Sequence, residues 1–197
     1  MIKDPYAFDK DATRLWDLHV PIVQTTSTIY VYLTAEIEEP STYSELFHTL
    51  TTADENKTVH IVINTLGGVV SSGLMIAEAI KQSKAWVVCE LVGDVCSIGT
   101  VITMACDELR AANNLSFMIH NYSGGLVGKG HEMKTRQNFV DSNIRDTFTE
   151  FYKGFLTEDE ISKVLEDTDM WFGTQEVLDR WQNKLQNEGK LDGSGLR

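Results

Sequence analysis

The sequence predicts an α/β fold built on a largely parallel sheet. Two observations carry this. Short runs of β-branched and aromatic residues alternate with stretches of helical spacing along most of the chain, the pattern of strand–helix–strand units. At two strand-to-helix junctions, Asn64–Gly68 and Gly93–Gly99, glycines sit where a tight turn is needed. A length of 197 residues with 42% hydrophobic content suits one domain with a sizeable core.

Ile29–Leu33, Ile-Tyr-Val-Tyr-Leu, reads as the first strand. Pro40-Ser41-Thr42 offers a helix start, and Tyr43–Thr51 continues with helical spacing. Thr58–Ile63 is the second strand. After the Asn64–Gly68 turn, Ser71–Ser83 places Leu74, Ala77 and Ile80 on one helical face. Trp86–Val92 is the third strand. It leads through a turn carrying Ser97 into an apolar helix over Ile98–Ala105. Leu115–Ile119 forms a fourth strand ending at His120. A glycine-rich bend, from Ser123-Gly124-Gly125 to Gly130, then enters a long polar helix over 131–155. Thr157 caps a further helix, with Glu160 completing a capping box, and Thr174–Trp181 is the last. Residues 1–28 read as a weakly patterned N-terminal arm, 29–187 as the single domain and 188–197 as a flexible tail.

Charge and patterning remove several classes of function. A formal net charge of −12 argues against nucleic-acid binding, which needs a basic face. No apolar run reaches the roughly 18 residues of a membrane span, so no membrane partner is expected. Met1-Ile2-Lys3-Asp4-Pro5 lacks the apolar stretch of a signal peptide, so a cytoplasmic location is expected. Cys89, Cys96 and Cys106 match no zinc spacing and are odd in number; they read as reduced packing thiols. No metal and no cofactor is expected.

Three features converge on acyl transfer. Ser97 lies between an apolar strand and an apolar helix, where helix N–H groups favour developing negative charge. A serine there most often serves as an N-cap, so the nucleophile reading needs partners. His120 ends a strand beside the glycine bend, well placed to act as a base near neutral pH. Gly67-Gly68 close a strand-to-helix turn, and N–H groups of Gly68 and Ile98 would make an oxyanion hole. An orienting carboxylate is also required, and Glu166, Asp167 and Asp169 are all candidates by position.

These motifs, in this order, resemble the proteolytic subunit of the Clp protease (ClpP), a family of serine peptidases. Ile61–Gly68 resembles the family's apolar-I-N-S-P-G-G turn, and Gly93–Gly99 its G-x-A-A-S-M-G, which places the nucleophile at Ser97. Met118-Ile119-His120 followed by Ser123-Gly124-Gly125 resembles M-I-H-Q-P-x-G-G, which places the base at His120. Thr168-Asp169 with Trp171-Phe172 and Gln175-Glu176-Val177 resembles R-D-x-F-[ML]-S-A-x-E-A, which selects Asp169 as the third triad member. The resemblance spans residues 29–182. It implies a crotonase-like βαβ spiral with a protruding handle helix over 131–155, and a homo-oligomer of stacked seven-fold rings enclosing a chamber. Its partners would be unfolded polypeptide substrates and an AAA+ unfoldase ATPase. A substrate strand would lie between the segment after Gly68 and the bend at Ser123, Gly124 and Gly125.

The departures mark a divergent member, of the kind a phage or a paralogue would encode. Leu66 replaces the family proline, and Thr168 an arginine that couples ring assembly to activity. His60 and Val62 stand where aromatic residues dock the ATPase. Val95 and Cys96 replace small alanines beside the nucleophile, and their bulk is expected to narrow the site. Two alternatives follow: a ring-forming structural or regulatory subunit of little activity, and an acyl-CoA enzyme sharing the paired N–H hole. The Ser–His–Asp set argues against the second.

Overall fold

A computed structural model describes residues 20–25, 27–125 and 127–189. The arm expected over residues 1–28 lies outside the described residues up to residue 19, as does the tail from residue 190. In chain order the strands are β1 (Ile22–Gln24), β2 (Thr28–Leu33), β3 (Thr58–Thr65), β4 (Trp86–Cys96), β5 (Glu108–Ala111), β6 (Ser116–Ile119) and β7 (Met170–Phe172). The helices are α1 (Ser44–Thr52, led by a 3₁₀ turn at Pro40–Tyr43), α2 (Val70–Gln82), α3 (Ile98–Met104), α4 (Gly130–Tyr152), α5 (Glu158–Leu165) and α6 (Thr174–Asn187).

The strands form one sheet in the order β1-β2-β3-β4-β6-β7, with β5 also paired to β4. The β2–β3, β3–β4, β4–β5 and β4–β6 pairs are parallel; β1–β2 and β6–β7 are antiparallel. Burial alternates along β2 and β3, so Ile29, Val31, Leu33, Val59, Ile61 and Ile63 face the helices. They pack with Leu46 and Leu50 of α1 and Ile76, Ala77 and Ile80 of α2 in one continuous core. Each such Ile or Leu contributes about 2 kcal/mol by leaving water. The opposite face carries Tyr30 against His60, the two rings tilted by 37° with centroids 5.3 Å apart.

β4 is the axis of the spiral. Its first half, Val88–Leu91, pairs with β5, and its last residues, Asp94–Cys96, pair with β6. Between them Gly93 takes φ +69°, and β3 shifts register between Ile63 and Thr65. The strand therefore runs beyond the predicted end at Val92, because its ladder partners change while its backbone remains paired. Ser97 follows β4 directly. β1, β5 and β7 are additional to the predicted strands. α4 ends at Tyr152 rather than 155, because Lys153 leaves helical geometry and bridges to Leu156. α6 runs on past Trp181 to Asn187.

α4 is the protruding element. Its buried residues, Ile144, Phe148, Phe151 and Tyr152, all lie in its C-terminal half, and Phe139 further out is 69% exposed. The predicted capping box of α5 is formed: Thr157 Oγ1 accepts from Glu160 N, and Thr157 N donates to Glu160 Oε2 at 2.8 Å. Arg180 of α6 grips the same carboxylate with two bonds of 2.8 and 2.9 Å and lies over the Phe172 ring. Arg180, with help from Thr157, draws the Glu160 carboxyl from 4.5 down to about 2. A depressed carboxyl stabilises the fold above its unfolded value, and that share is lost as pH falls through the folded value. Arg180→Ala is therefore expected to destabilise the protein at neutral pH. It should also flatten the loss of stability between pH 4.5 and about 2, followed by denaturant midpoints across that range.

Candidate active site

Ser97 sits between the end of β4 and the first residue of α3 with φ 56° and ψ −129°. A non-glycine residue in this region costs about 1–3 kcal/mol and persists only where the surroundings hold it. Three contacts do so. Ser97 N donates to Met118 O of β6 at 2.9 Å. Ser97 O accepts from Thr100 N at 2.9 Å and from Thr100 Oγ1 at 2.6 Å. Thr100 has spent its one hydroxyl proton on Ser97 O, so Tyr152 at the end of α4 donates to Thr100 Oγ1, at 2.6 Å. Burial pushes the Tyr152 phenol up, so it stays a neutral donor. The Ser97 side chain makes no cap hydrogen bond, contrary to the common role of a serine before a helix.

The Gly67-Gly68 turn is pressed against this serine. A Cβ on Gly67 would lie 2.6 Å from Ser97 Cβ, and φ is +108°. Gly68, at φ +143°, forms a parallel bridge with Ile37, made by Ile37 N to Gly67 O and Val69 N to Ile37 O, both 2.7 Å. In such a bridge the N–H and C=O of Gly68 point away from Ile37. Ile98 opens α3, so its N–H has no acceptor within the helix. A cavity of about 440 Å³ opens beside the turn, lined by Thr34, Ala35, Glu36 and Asn64–Gly68.

His120 and Asp169 are brought to the same end of the sheet. Cys96 pairs with Met118 and Ile119 pairs with Met170. Ser97 is thus one residue past β4, His120 one past β6 and Asp169 one before β7, on three adjacent strands. No hydrogen bond joins the side chains of these three among the described residues. Ser123, Gly124 and Gly125 follow as exposed, unpaired backbone, with open space around Gly124 and Gly125.

Val95 and Cys96 beside the serine are both buried, on alternate faces of β4, and neither is among the residues that line the cavity. Burial, reinforced by Asp94, raises the Cys96 thiol, so it is protonated packing material rather than a nucleophile. Leu66, 74% exposed, does line the cavity.

Two groups escaped the sequence reading. One is the Thr100–Tyr152 prop, whose members are 52 residues apart. The other is the pairing of Asn121 with Asp167, a residue named from the sequence only as a candidate orienting acid. α5 ends in a Schellman motif: Thr168 N donates to Lys163 O at 2.9 Å and Asp167 N to Val164 O at 3.0 Å. Its left-handed position, normally glycine, is Asp167 at φ +67°, at a cost of about 1 kcal/mol. Asn121, next to His120, donates to Asp167 Oδ1 at 2.9 Å and to Leu165 O at 3.3 Å. The detectable signal was a helix end with an acid where glycine belongs.

Among the described residues no cluster of three or more His, Cys, Asp or Glu is placed to hold a metal ion, and no helix is long and apolar enough to cross a membrane. The molecule is thus a spiral α/β protein with a strained serine at a helix N-terminus. Residues 20–179 match the Clp protease family. The chain belongs to that family. It is 28% identical over 165 residues to the ATP-dependent Clp protease proteolytic subunit of Streptococcus agalactiae serotype V, covering 76% of this chain and 79% of that protein. The serotype III protein of the same name gives the same identity and coverage.

Proposed function

We propose that this chain is the proteolytic subunit of a self-compartmentalised serine endopeptidase. The observation that carries the reading is the strained Ser97, held at a helix N-terminus with the Gly67-Gly68 backbone pressed against it. Ser97 Oγ attacks the peptide carbonyl carbon while His120 takes its proton. His120 then passes that proton to the leaving amine, and Asp169 orients the ring. The N–H groups of Gly68 and Ile98 receive the oxyanion. Water, deprotonated by His120, hydrolyses the resulting acyl-enzyme.

The substrate is an extended, unfolded polypeptide. It adds as a strand between the outward-facing edge at Gly68 and the open backbone of Ser123–Gly125. Subunits assemble into seven-fold rings, and α4, with its exposed outer half, joins one ring to another. An AAA+ ATPase feeds the chamber, a reading supported by the "ATP-dependent" in the names of the streptococcal relatives.

The test is a fluorophosphonate probe on the assembled protein, with the modified residue mapped by mass spectrometry. Modification at Ser97, with cleavage of an unstructured peptide, is the expected result. An assembled particle that takes no label at Ser97 overturns the reading.

A further inference from the structure

We propose that Asn121 and Asp167 are positioning residues that set the geometry between base and acid; this rests on the peptidase reading above. The placement is that of a strut. Ile119 and Met170 are paired in the β6–β7 ladder, and Asn121 is hydrogen-bonded to Asp167. His120 is the one residue between the pins on its strand. Thr168 and Asp169 are the two between them on the other. Base and acid therefore sit in short spans tied together at both ends.

The strut has a fixed orientation. Asn121 uses both amide protons, on Asp167 Oδ1 and Leu165 O, and its own oxygen accepts from Tyr122 N at 2.9 Å. Turning the amide over would set its oxygen against two acceptors. The next residue is anchored on the other side: the Tyr122 hydroxyl donates to Asp141 of α4, and Gln137 donates to Asp141 at 2.8 Å. The segment leaving His120 is thus clamped between α4 and the end of α5.

A purely structural role fits the details poorly. Asp167 is exposed, so its bond to Asn121 adds little to global stability. The Schellman bonds already end α5 without the carboxylate. Glycine would suit the left-handed backbone better, yet a residue with an acceptor side chain stands there. What the carboxylate adds is a hold on the residue following His120.

The test uses the full, assembled chain, with steady-state cleavage of an internally quenched unstructured peptide, the rate of fluorophosphonate acylation, and thermal unfolding. Asp167→Gly relieves the backbone while deleting the acceptor. It is expected to lower kcat and the acylation rate about 10-fold, with KM within about twofold. Its unfolding temperature should be unchanged or raised. Asp167→Asn keeps an oxygen acceptor and tolerates the same backbone, and is expected to restore most of kcat. Wild-type kcat in Asp167→Gly overturns the proposal. So does an Asp167→Asn as slow as Asp167→Gly, or a fall in kcat that merely follows a fall in unfolding temperature. If the wild type neither cleaves nor takes the probe, the peptidase reading fails, and hydrogen exchange over Ile119–Tyr122 decides the strut separately. Asp167→Gly must then speed exchange there about fivefold or more while Asp167→Asn does not; equal rates overturn the strut.

Discussion

Gly68→Ala is expected to lose about 2–4 kcal/mol of stability and to depress peptide cleavage about 10²-fold or more. Two effects add. At φ +143° an alanine is strained whatever the space around it. The added Cβ would also lie 2.2 Å from Ile37 O and 2.8 Å from Ile37 N, both backbone atoms that cannot turn aside. Relief requires the Ile37–Gly68 bridge to open, and that bridge turns the Gly68 N–H, the proposed oxyanion donor, away from Ile37. Gly124→Ala is the matched control: a Cβ there meets nothing within 4 Å, and stability should be unchanged. Thermal unfolding and peptide cleavage measured on both variants check this. A Gly68→Ala protein with wild-type values in both would show that the turn does not fix the N–H.

Thr100→Val is expected to cost about 2–3 kcal/mol and to lower kcat about 10-fold, because it acts on both the fold and the serine. The valine has the shape of threonine but cannot bond Ser97 O, and it leaves the Tyr152 hydroxyl buried without its acceptor. Tyr152→Phe removes the outer half of the chain only, leaving the Thr100–Ser97 bond in place, and should cost about 1 kcal/mol. The double variant should recover part of the stability lost in Thr100→Val, since no hydroxyl is then stranded. Its kcat should stay low, since Ser97 O still lacks the hydroxyl bond and keeps only that from Thr100 N. Strict additivity in denaturant unfolding would argue against the relay.

The strand–turn–helix order was legible because β3 and β4 couple β-branched runs to glycine turns, and β2 leads to a helix start at Pro40. Gly93-Asp94 read as the end of a strand, yet the backbone stays paired through it as β6 replaces β5 alongside. Glu108–Ala111 has no strand signature of its own; its pairing comes from β4. Met170–Phe172 is three residues long, too short for any alternation to register. At the site, Ser97, Gly67-Gly68, His120 and Asp169 were named from local pattern and family resemblance. The positive φ of Ser97 was not, because a serine before a helix is ordinarily a cap. Asn121 and Asp167 are 46 residues apart, and only the fold makes them neighbours.

The change of partner along β4 has a mechanical meaning. Gly68 and Ser97 belong to a wall made of β3, β4 and the helices behind them. His120 and Asp169 ride on a separate leaf, β6 with β7, which is stitched to that wall by β4 through Asp94–Cys96 and the single Ser97 N to Met118 O bond. The leaf's own members are tied to each other by three register pairs and the Asn121–Asp167 bond. In the proposed triad β6 thus carries the base between two seams of equal size, three register pairs toward the nucleophile's strand and three toward the acid's, so a displacement of β6 would disturb both partners of His120 at once.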